Sequence, residues 1–231
     1  MYEVSIINKD VKTVIHNPIF DDVGLMTCTI NLRVGWSSKM NAVLLPNNPG
    51  YNLLKPMVTL VEVKNTLTNE IEFDGRILTS SERMTTSGTF YKTITCEGEL
   101  GYLSDSAQRH AEFHDISVRE FLEVIIARHN ADVADDEIDK TFVVGIVDVD
   151  SSTGTLYRYL GYDTTYETIK EKLIDRLGGE LRVRKVDGIR YLDYVVEDSE
   201  VKQTPIRLAH NMRSIQKDVD PTDIITRLVP L

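Results

Sequence analysis

From Met26 to Val34 apolar and polar residues alternate without a break: Met26, Cys28, Ile30, Leu32 and Val34 on one side, Thr27, Thr29, Asn31 and Arg33 on the other. A period of two fits a strand with one buried face and no helix. The same grammar governs the first hundred residues. The chain opens in strand-like sequence at Met1-Tyr2-Glu3-Val4. Val58 to Val63 and Ile71 to Leu78 read as strands joined by the polar hairpin loop 65–69, and Thr89 to Glu97, rich in Thr, Tyr and Ile, reads as another. Between them Leu45-Pro46-Asn47-Asn48-Pro49-Gly50 marks a loop, because two prolines remove backbone donors and Gly50 permits a positive φ. This segment is expected to be all-β.

Beyond residue 106 the period changes. Ser117-Val118-Arg119-Glu120 is a capping box, flanked by Ile116 and Phe121 at staple positions, and Val118, Phe121, Leu122, Ile125 and Ile126 continue as one apolar stripe that Asn130 is expected to end. Thr164 and Glu167 repeat the device before Tyr166, Ile169, Leu173 and Leu177, with Gly178-Gly179 as the stop. Phe142 to Val149 between the helices is a short apolar strand. Leu181 to Lys185 and Ile189 to Val195 flank Asp187-Gly188, a two-residue hairpin signal. The last thirty residues return to strand sequence at Ile206, Leu208, Ile215 and Ile224 to Val229. The order of patterns predicts an α+β, mainly β chain: a split β domain of residues 1–105 and 201–231, with an α+β unit of residues 106–200 inserted in it.

The 231 residues carry 26 Lys and Arg against 36 Asp and Glu, a formal charge of −10, which argues against a surface that grips a phosphate backbone. No apolar run approaches the roughly 20 residues of a membrane-spanning helix. The N-terminal sequence lacks the basic and apolar regions of a signal peptide, so synthesis in a cytoplasm is expected. Cys28 and Cys96, far apart and without CxxC or CxxH spacing, are expected to be small buried hydrophobes.

Candidate chemistry is sparse. His110 and His114 would share a helix face, but Ala111 stands where a metalloprotease helix needs Glu. Asp148, Asp150 and Ser152 resemble the start of a calcium loop, yet its sixth position is Thr153 rather than Gly and its twelfth is Tyr159. Asp132, Asp135, Asp136, Glu137 and Asp139 read as a charged linker face. No nucleophile elbow, phosphate loop or dinucleotide fingerprint occurs. The expectation is a binding or structural module with no catalytic, metal or cofactor residues and no cofactor.

The order of segments carries a resemblance. Phe73-Asp74-Gly75-Arg76-Ile77-Leu78, a turn, then Tyr91 through Ser106 (YKTITCEGELGYLSDS), the helix end Arg128-His129-Asn130, the strand Phe142-Val143-Val144-Gly145, Gly178-Gly179-Glu180-Leu181 with its Asp187-Gly188 hairpin, and the final Thr226-Arg227-Leu228-Val229-Pro230-Leu231 together resemble the N-terminal region of tail-tip proteins of long-tailed phages and prophages. These form the tail-associated or prophage endopeptidase tail family, similar to the hub of contractile-tail baseplates. The resemblance implies a virion structural protein of the tail tip. It implies a β-barrel-like tube domain split by an inserted domain, a homotrimer at full length, and docking on the distal tail protein ring that closes the tail tube. Tail tube and tape measure proteins are implied neighbours, and DNA passes through without being specifically bound. Two alternatives stand beside this reading. One is a tail-associated peptidoglycan hydrolase fragment. The other is a host-wall carbohydrate- or peptide-binding module using Trp36 and the tyrosines Tyr157, Tyr159, Tyr162 and Tyr166.

Overall fold

A computed structural model describes residues 1–19, 24–149, 156–196 and 207. The expected period-two segments form one seven-stranded antiparallel sheet: β1 (Tyr2–Asn8), β2 (Val11–His16), β3 (Thr27–Asn31), β4 (Lys39–Leu44), β5 (Leu60–Asn65), β6 (Ile71–Met84) and β7 (Phe90–Gly98). Their order across the sheet is β2-β1-β5-β6-β7-β4-β3, so β2 and β3 are its two edges.

The sheet curls. Val4, Ile6 and Ile15 near one edge share a single apolar cluster with Met40, Ala42, Leu44, Ile94 and Cys96 near the other, which a flat sheet would keep strands apart. The loop between β4 and β5 closes the curl: Asn48 Nδ2 donates to the carbonyls of Ile15 (2.7 Å) and Gly24 (2.9 Å). The Leu45–Gly50 loop expected from its prolines is thus a plug. Its Asn is buried because three backbone groups satisfy it, Gly50 N donating to Asn48 Oδ1 at 2.9 Å.

Where β6 meets β7 the register slips between Ile77 and Thr79, a bulge that bends both strands. Gly75 lies opposite Gly98 there, and a Cβ on Gly75 would run into the carbonyl of Glu97. Gly75→Ala is therefore expected to destabilise the fold by about 1–3 kcal/mol, measurable by urea denaturation; an unchanged midpoint would contradict the close approach.

A second lobe follows: a 3-10 helix (Glu99–Ser104), β8 (Ala111–Ile116), α1 (Val118–Asp132), β9 (Val143–Val147), β10 (Leu156–Leu160), α2 (Thr165–Ile169), a π-helical turn (Lys170–Ile174), α3 (Asp175–Leu177), β11 (Glu180–Val186) and β12 (Ile189–Val195). β11 and β12 form the expected hairpin, with Asp187 (φ +50°) and Gly188 (φ +81°) both left-handed as a type I′ turn requires. β9 pairs parallel with β12, and β8 pairs with β10. The Ser117 capping box is complete: Ser117 Oγ accepts from the Glu120 amide at 3.2 Å, and Glu120 Oε2 accepts from the Ser117 amide at 3.1 Å. Ser117→Ala should cost about 1 kcal/mol, read as a lowered thermal midpoint; no change would mean the cap is unused.

The lobe has its own core, Leu100, Tyr102, Leu103, Val118, Phe121, Leu122, Ile125, Ile126, Phe142, Leu160, Ile169, Leu173, Leu181, Leu192 and Tyr194 among them. The chain is α+β and mainly β. The C-terminal part of the expected split domain, residues 201–231, lies outside the described residues apart from Arg207.

Several expectations need correcting. The Met26–Val34 face is not half-buried: Cys28 is exposed, as are Met26, Leu32 and Val34, because β3 is an edge strand reaching past the core. Asn130 does not end α1, which runs to Asp132. It clamps the entry to β9 instead, donating to the Phe142 carbonyl (2.8 Å) and accepting from its amide (2.9 Å). The second helix is interrupted by its π turn.

Candidate assembly interface

An edge strand exposes unpaired backbone groups, and soluble proteins usually blunt it with charge or cover it. Large apolar side chains stand exposed on either side of β3, Met26 (65%) before it and Leu32 (60%), Val34 (66%) and Trp36 (49%) in the loop after it, interleaved with the exposed Thr27, Thr29, Asn31 and Arg33. Exposed apolar groups of this size are the usual mark of a surface made to be covered. The opposite edge differs, since β2 carries Lys12, paired to Glu62 of β5 across β1 (Nζ–Oε1 2.5 Å).

The loop after β3 turns over a cleft of about 860 Å³ between the sheet and the lobe. Leu32, Val34, Trp36 and Ile71 give it an apolar wall; Asp74, Glu99 and Lys185 give it a charged one. Trp36 meets the lobe directly. Its ring lies 5.9 Å from Tyr166 and under Lys170 Nζ (5.2 Å), while Tyr166 Oη donates to the Gly35 carbonyl at 3.0 Å.

Beside the cleft lies a charge cluster that sequence spacing does not announce. Arg76 is 1% exposed, on a strand otherwise apolar inward. Its Nη2 donates to Glu97 Oε1 at 2.6 Å and to Asp105 Oδ1 at 2.7 Å. Lys140 Nζ reaches Asp105 Oδ2 at 2.6 Å and Asp136 at 2.7 Å. Arg190, 5% exposed, binds Glu99 (2.5 Å) and Asp139 (2.7 Å). Lys185 Nζ bridges Asp74 Oδ2 (2.7 Å) and Glu99 Oε1 (3.1 Å). Tyr102 lies between the two guanidinium groups, 5.1 Å from that of Arg76 and 5.4 Å from that of Arg190. Burial pushes the Asp105 carboxyl up, but hydrogen bonds from Arg76 and Lys140 outweigh it and hold its pKa below the usual range. Burial and the neighbouring Glu99 raise that of Asp74, against the pull of Lys185 and Arg190. Asp136 and Asp139, expected on a charged linker face, stay exposed (41% and 60%) while pairing with this cluster. No sequence signal flags it: Arg76 stands two residues from Asp74 in Phe73–Leu78, as ordinary surface charges do.

The other candidate residues are dispersed. His110 and His114 flank or sit on strand β8 rather than a helix, and His110 packs edge-on against Tyr159 at 5.2 Å. Of the calcium-like run, Asp150, Ser152 and Thr153 lie outside the described residues. Among the described residues no three His, Cys, Asp or Glu side chains are placed to hold a metal ion. Among the described tyrosines, Tyr166 meets Trp36; Tyr162 stands 72% exposed, and the side chain of Tyr157 lies outside the described residues.

One hydroxyl–imidazole pair was missed: Ser106 Oγ lies 2.7 Å from His129 Nδ1. His129 Nε2 faces the Lys140 carbonyl at 3.0 Å, Ser106 Oγ lies 2.6 Å from Thr165 Oγ1, and Gln108 Nε2 donates to Thr165 Oγ1 at 2.8 Å. A tautomer with the proton on Nε2 satisfies the chain in one direction. Ser106, His129, Thr165 and Gln108 are all buried, so this network ties α1 to α2 and gives no substrate access. Burial lowers the His129 pKa despite the bond to Lys140. The unfolded state then binds the extra proton, so the contribution of neutral His129 is present above about pH 6.5 and lost as pH falls below it. Stability should decline from pH 7 to pH 5, by at most about 1.4 kcal/mol per pH unit for this one proton. His129→Gln should flatten that decline; an identical slope in the variant would contradict the assignment.

No family model and no curated protein matches the sequence. The fold does match solved structures. The tail protein from Neisseria meningitidis MC58 superimposes with a TM-score of 0.52 at 12% identity, over 83% of this chain and 50% of that one. The 43 kDa tail protein of prophage MuSo2 from Shewanella oneidensis gives 0.53 at 11% identity, over 83% of this chain and 54% of that one. At such identity the likeness is one of fold: this chain has the fold of phage tail proteins. It spans about half the length of the solved proteins it matches.

Proposed function

We propose that this chain is a structural subunit of a phage or prophage tail tip, acting as a hub that closes the distal end of the tail tube and docks on the distal tail protein ring. The observation that carries the reading is the tail-protein fold over 83% of the chain, joined to exposed apolar side chains at both ends of edge strand β3. A sheet with such an edge is suited to continuation by another chain, and a curled sheet continued from subunit to subunit makes a ring. In the proposal the full-length protein is a homotrimer, its β domain is completed by residues 201–231 around the inserted unit 106–200, and its neighbours are the ring, the tail tube and the tape measure protein. The net charge of −10 suits a wall past which DNA slides, since it repels phosphates. The protein is synthesised in the host cytoplasm and resides at the virion tail tip.

The reading includes no enzymatic turnover: the Ser106–His129 pair is sealed in the core. Mixing the full-length protein with the distal tail protein of the same virion and measuring mass by light scattering tests it. A trimer that gains mass by ring binding supports the hub. A stable dimer or hexamer, or the absence of any complex, overturns it, and cell-wall hydrolysis lost on His129→Ala would favour the hydrolase reading.

A further inference from the structure

The cleft under the Trp36 loop has an unpaired strand for one of its walls. The order of the three-stranded sheet is β11-β12-β9, so among the described residues β11 has one neighbour and an open edge. Leu181, Arg182 and Val183, three consecutive residues of β11, all line the cleft. Successive side chains of a strand point to opposite faces, so a cleft that meets all three runs along the strand's edge, past its outward N–H and C=O groups. Such an edge is a template for another strand. The cations of β11 do not guard it, because each is engaged already: Arg182 pairs with Glu180, Arg184 with Asp193, and Lys185 with Asp74 and Glu99.

A second wall is apolar. Trp36 and Ile71 are half exposed and Val34 more so. Side chains of this size gathered around one concavity mark a surface made to be covered, and a tryptophan among them supplies a large, rigid anchor. The volume of about 860 Å³ falls in the range of cavities that hold ligands. Charge completes the pattern. Glu70 and Glu72 line the cleft on either side of Ile71, at the entry to β6. Among the described residues neither belongs to an ion pair, and Glu72 accepts from Asn65 Nδ2 at 3.2 Å. With Arg182 and Lys185 committed elsewhere, these two carboxylates face one remaining cation of the described lining, Arg33 on the loop after β3.

We propose that the cleft is a docking groove for an extended segment of another protein, which adds to β11 as a further strand. Apolar residues at every second position of the segment pack on Trp36, Val34 and Ile71, and a lysine or arginine at one end pairs with Glu70 and Glu72. The backbone of β11 supplies hydrogen bonds and the two walls supply the preference, as where other sheet edges take up a peptide. From Leu181 to Lys185 the edge is about 13 Å long, room for about five residues. The groove belongs to a different sheet from the β3 edge, so the inference stands on the cleft and not on the tail-tip reading.

Trp36 is the one tryptophan of the chain and reports on the groove without a label. The probe is a set of octapeptides that permutes valine, serine, lysine and glutamate, each titrated into the full chain. Peptides with valine at alternate positions and lysine at one end should shift Trp36 emission to the blue, saturably, and cut acrylamide quenching at least twofold. Glu70→Lys/Glu72→Lys, which alters no buried side chain, should weaken the best of them at least tenfold and favour its glutamate-ended counterpart. In that best peptide, N-methylation of one alternate set of residues should abolish binding and of the other set leave it, since one edge of an added strand faces β11. No saturable change with any peptide overturns the groove. Undiminished affinity in the double variant overturns the charge pairing, and equal tolerance of both N-methylated sets overturns the added strand. A blue shift that grows with protein concentration alone puts a second copy of this chain in the cleft and overturns the foreign segment. None of these readouts involves ring binding, so their failure is distinct from failure of the tail-tip reading.

Discussion

Replacing Arg76 by methionine should lower the free energy of unfolding by about 3–5 kcal/mol, the range found when one partner of a buried pair is removed. The loss arises from what is left behind rather than from the methionine, whose volume fits an apolar site. Asp105 keeps Lys140 as a partner, so its charge stays compensated. Glu97 is different: both of its hydrogen bonds in this cluster come from Arg76, and its side chain is only 14% exposed. Arg76→Met/Glu97→Met should therefore recover most of the stability, since replacing a whole buried pair by apolar groups is often neutral. Chemical denaturation of the two variants checks this; a double variant no better than the single would show that the arginine acts through its packing on Tyr102 instead.

Phe121→Ala should be comparably severe, about 3–5 kcal/mol, or a fall of roughly 6–20 °C in melting temperature for a chain of this size. Phe121 is fully buried in the lobe, edge-on to Phe113 at 5.5 Å. Its ring also supports Arg158, 2% exposed, whose guanidinium carbon lies 5.0 Å above it. Among the described residues Arg158 Nε and Nη2 have no hydrogen-bond partner, and burial and the nearby Arg176 lower its pKa. Truncating Phe121 thus opens a cavity and removes the aromatic face beneath a desolvated cation. Calorimetry or circular dichroism reads the shift. A fall of less than about 2 °C would place Phe121 outside the core.

How much was legible in the sequence follows from how local each cause is. The Ser117 capping box and the Asp187-Gly188 turn were readable because cap and turn chemistry are decided within four residues. Strands β5, β7 and β9 lie within about two residues of the segments their apolar patterns predict, whereas β6 runs past the expected end at Leu78 to Met84, where its residues are mostly exposed and the pattern fades. The Met26–Val34 run shows the limit of that method. Alternation tells which residues share a face but not whether another layer covers it, and on an edge strand most of that face stayed bare. The segment at His110–His114 was ambiguous for a similar reason: two histidines four apart have a helical meaning only if the backbone is helical, and pairing of β8 with β10 decided otherwise. The charge cluster was not legible. Its members stand as far apart as Asp74 and Lys185, and each alone looks like an ordinary surface charge; only the curl of the sheet and the docking of the hairpin bring them together. The Ser106–His129 chain was invisible likewise, being made by the packing of α1 on α2.

The central claim, a structural place at the tail tip, is tested most directly by locating the chain in the particle. Tailed particles purified from the strain that carries this sequence would be labelled with a gold-conjugated antibody against the protein and viewed by electron microscopy. The account predicts gold at the end of the tail distal to the head, at a single position on each particle. Label on the head, label spread along the tail shaft, or particles that carry none of the protein would contradict it.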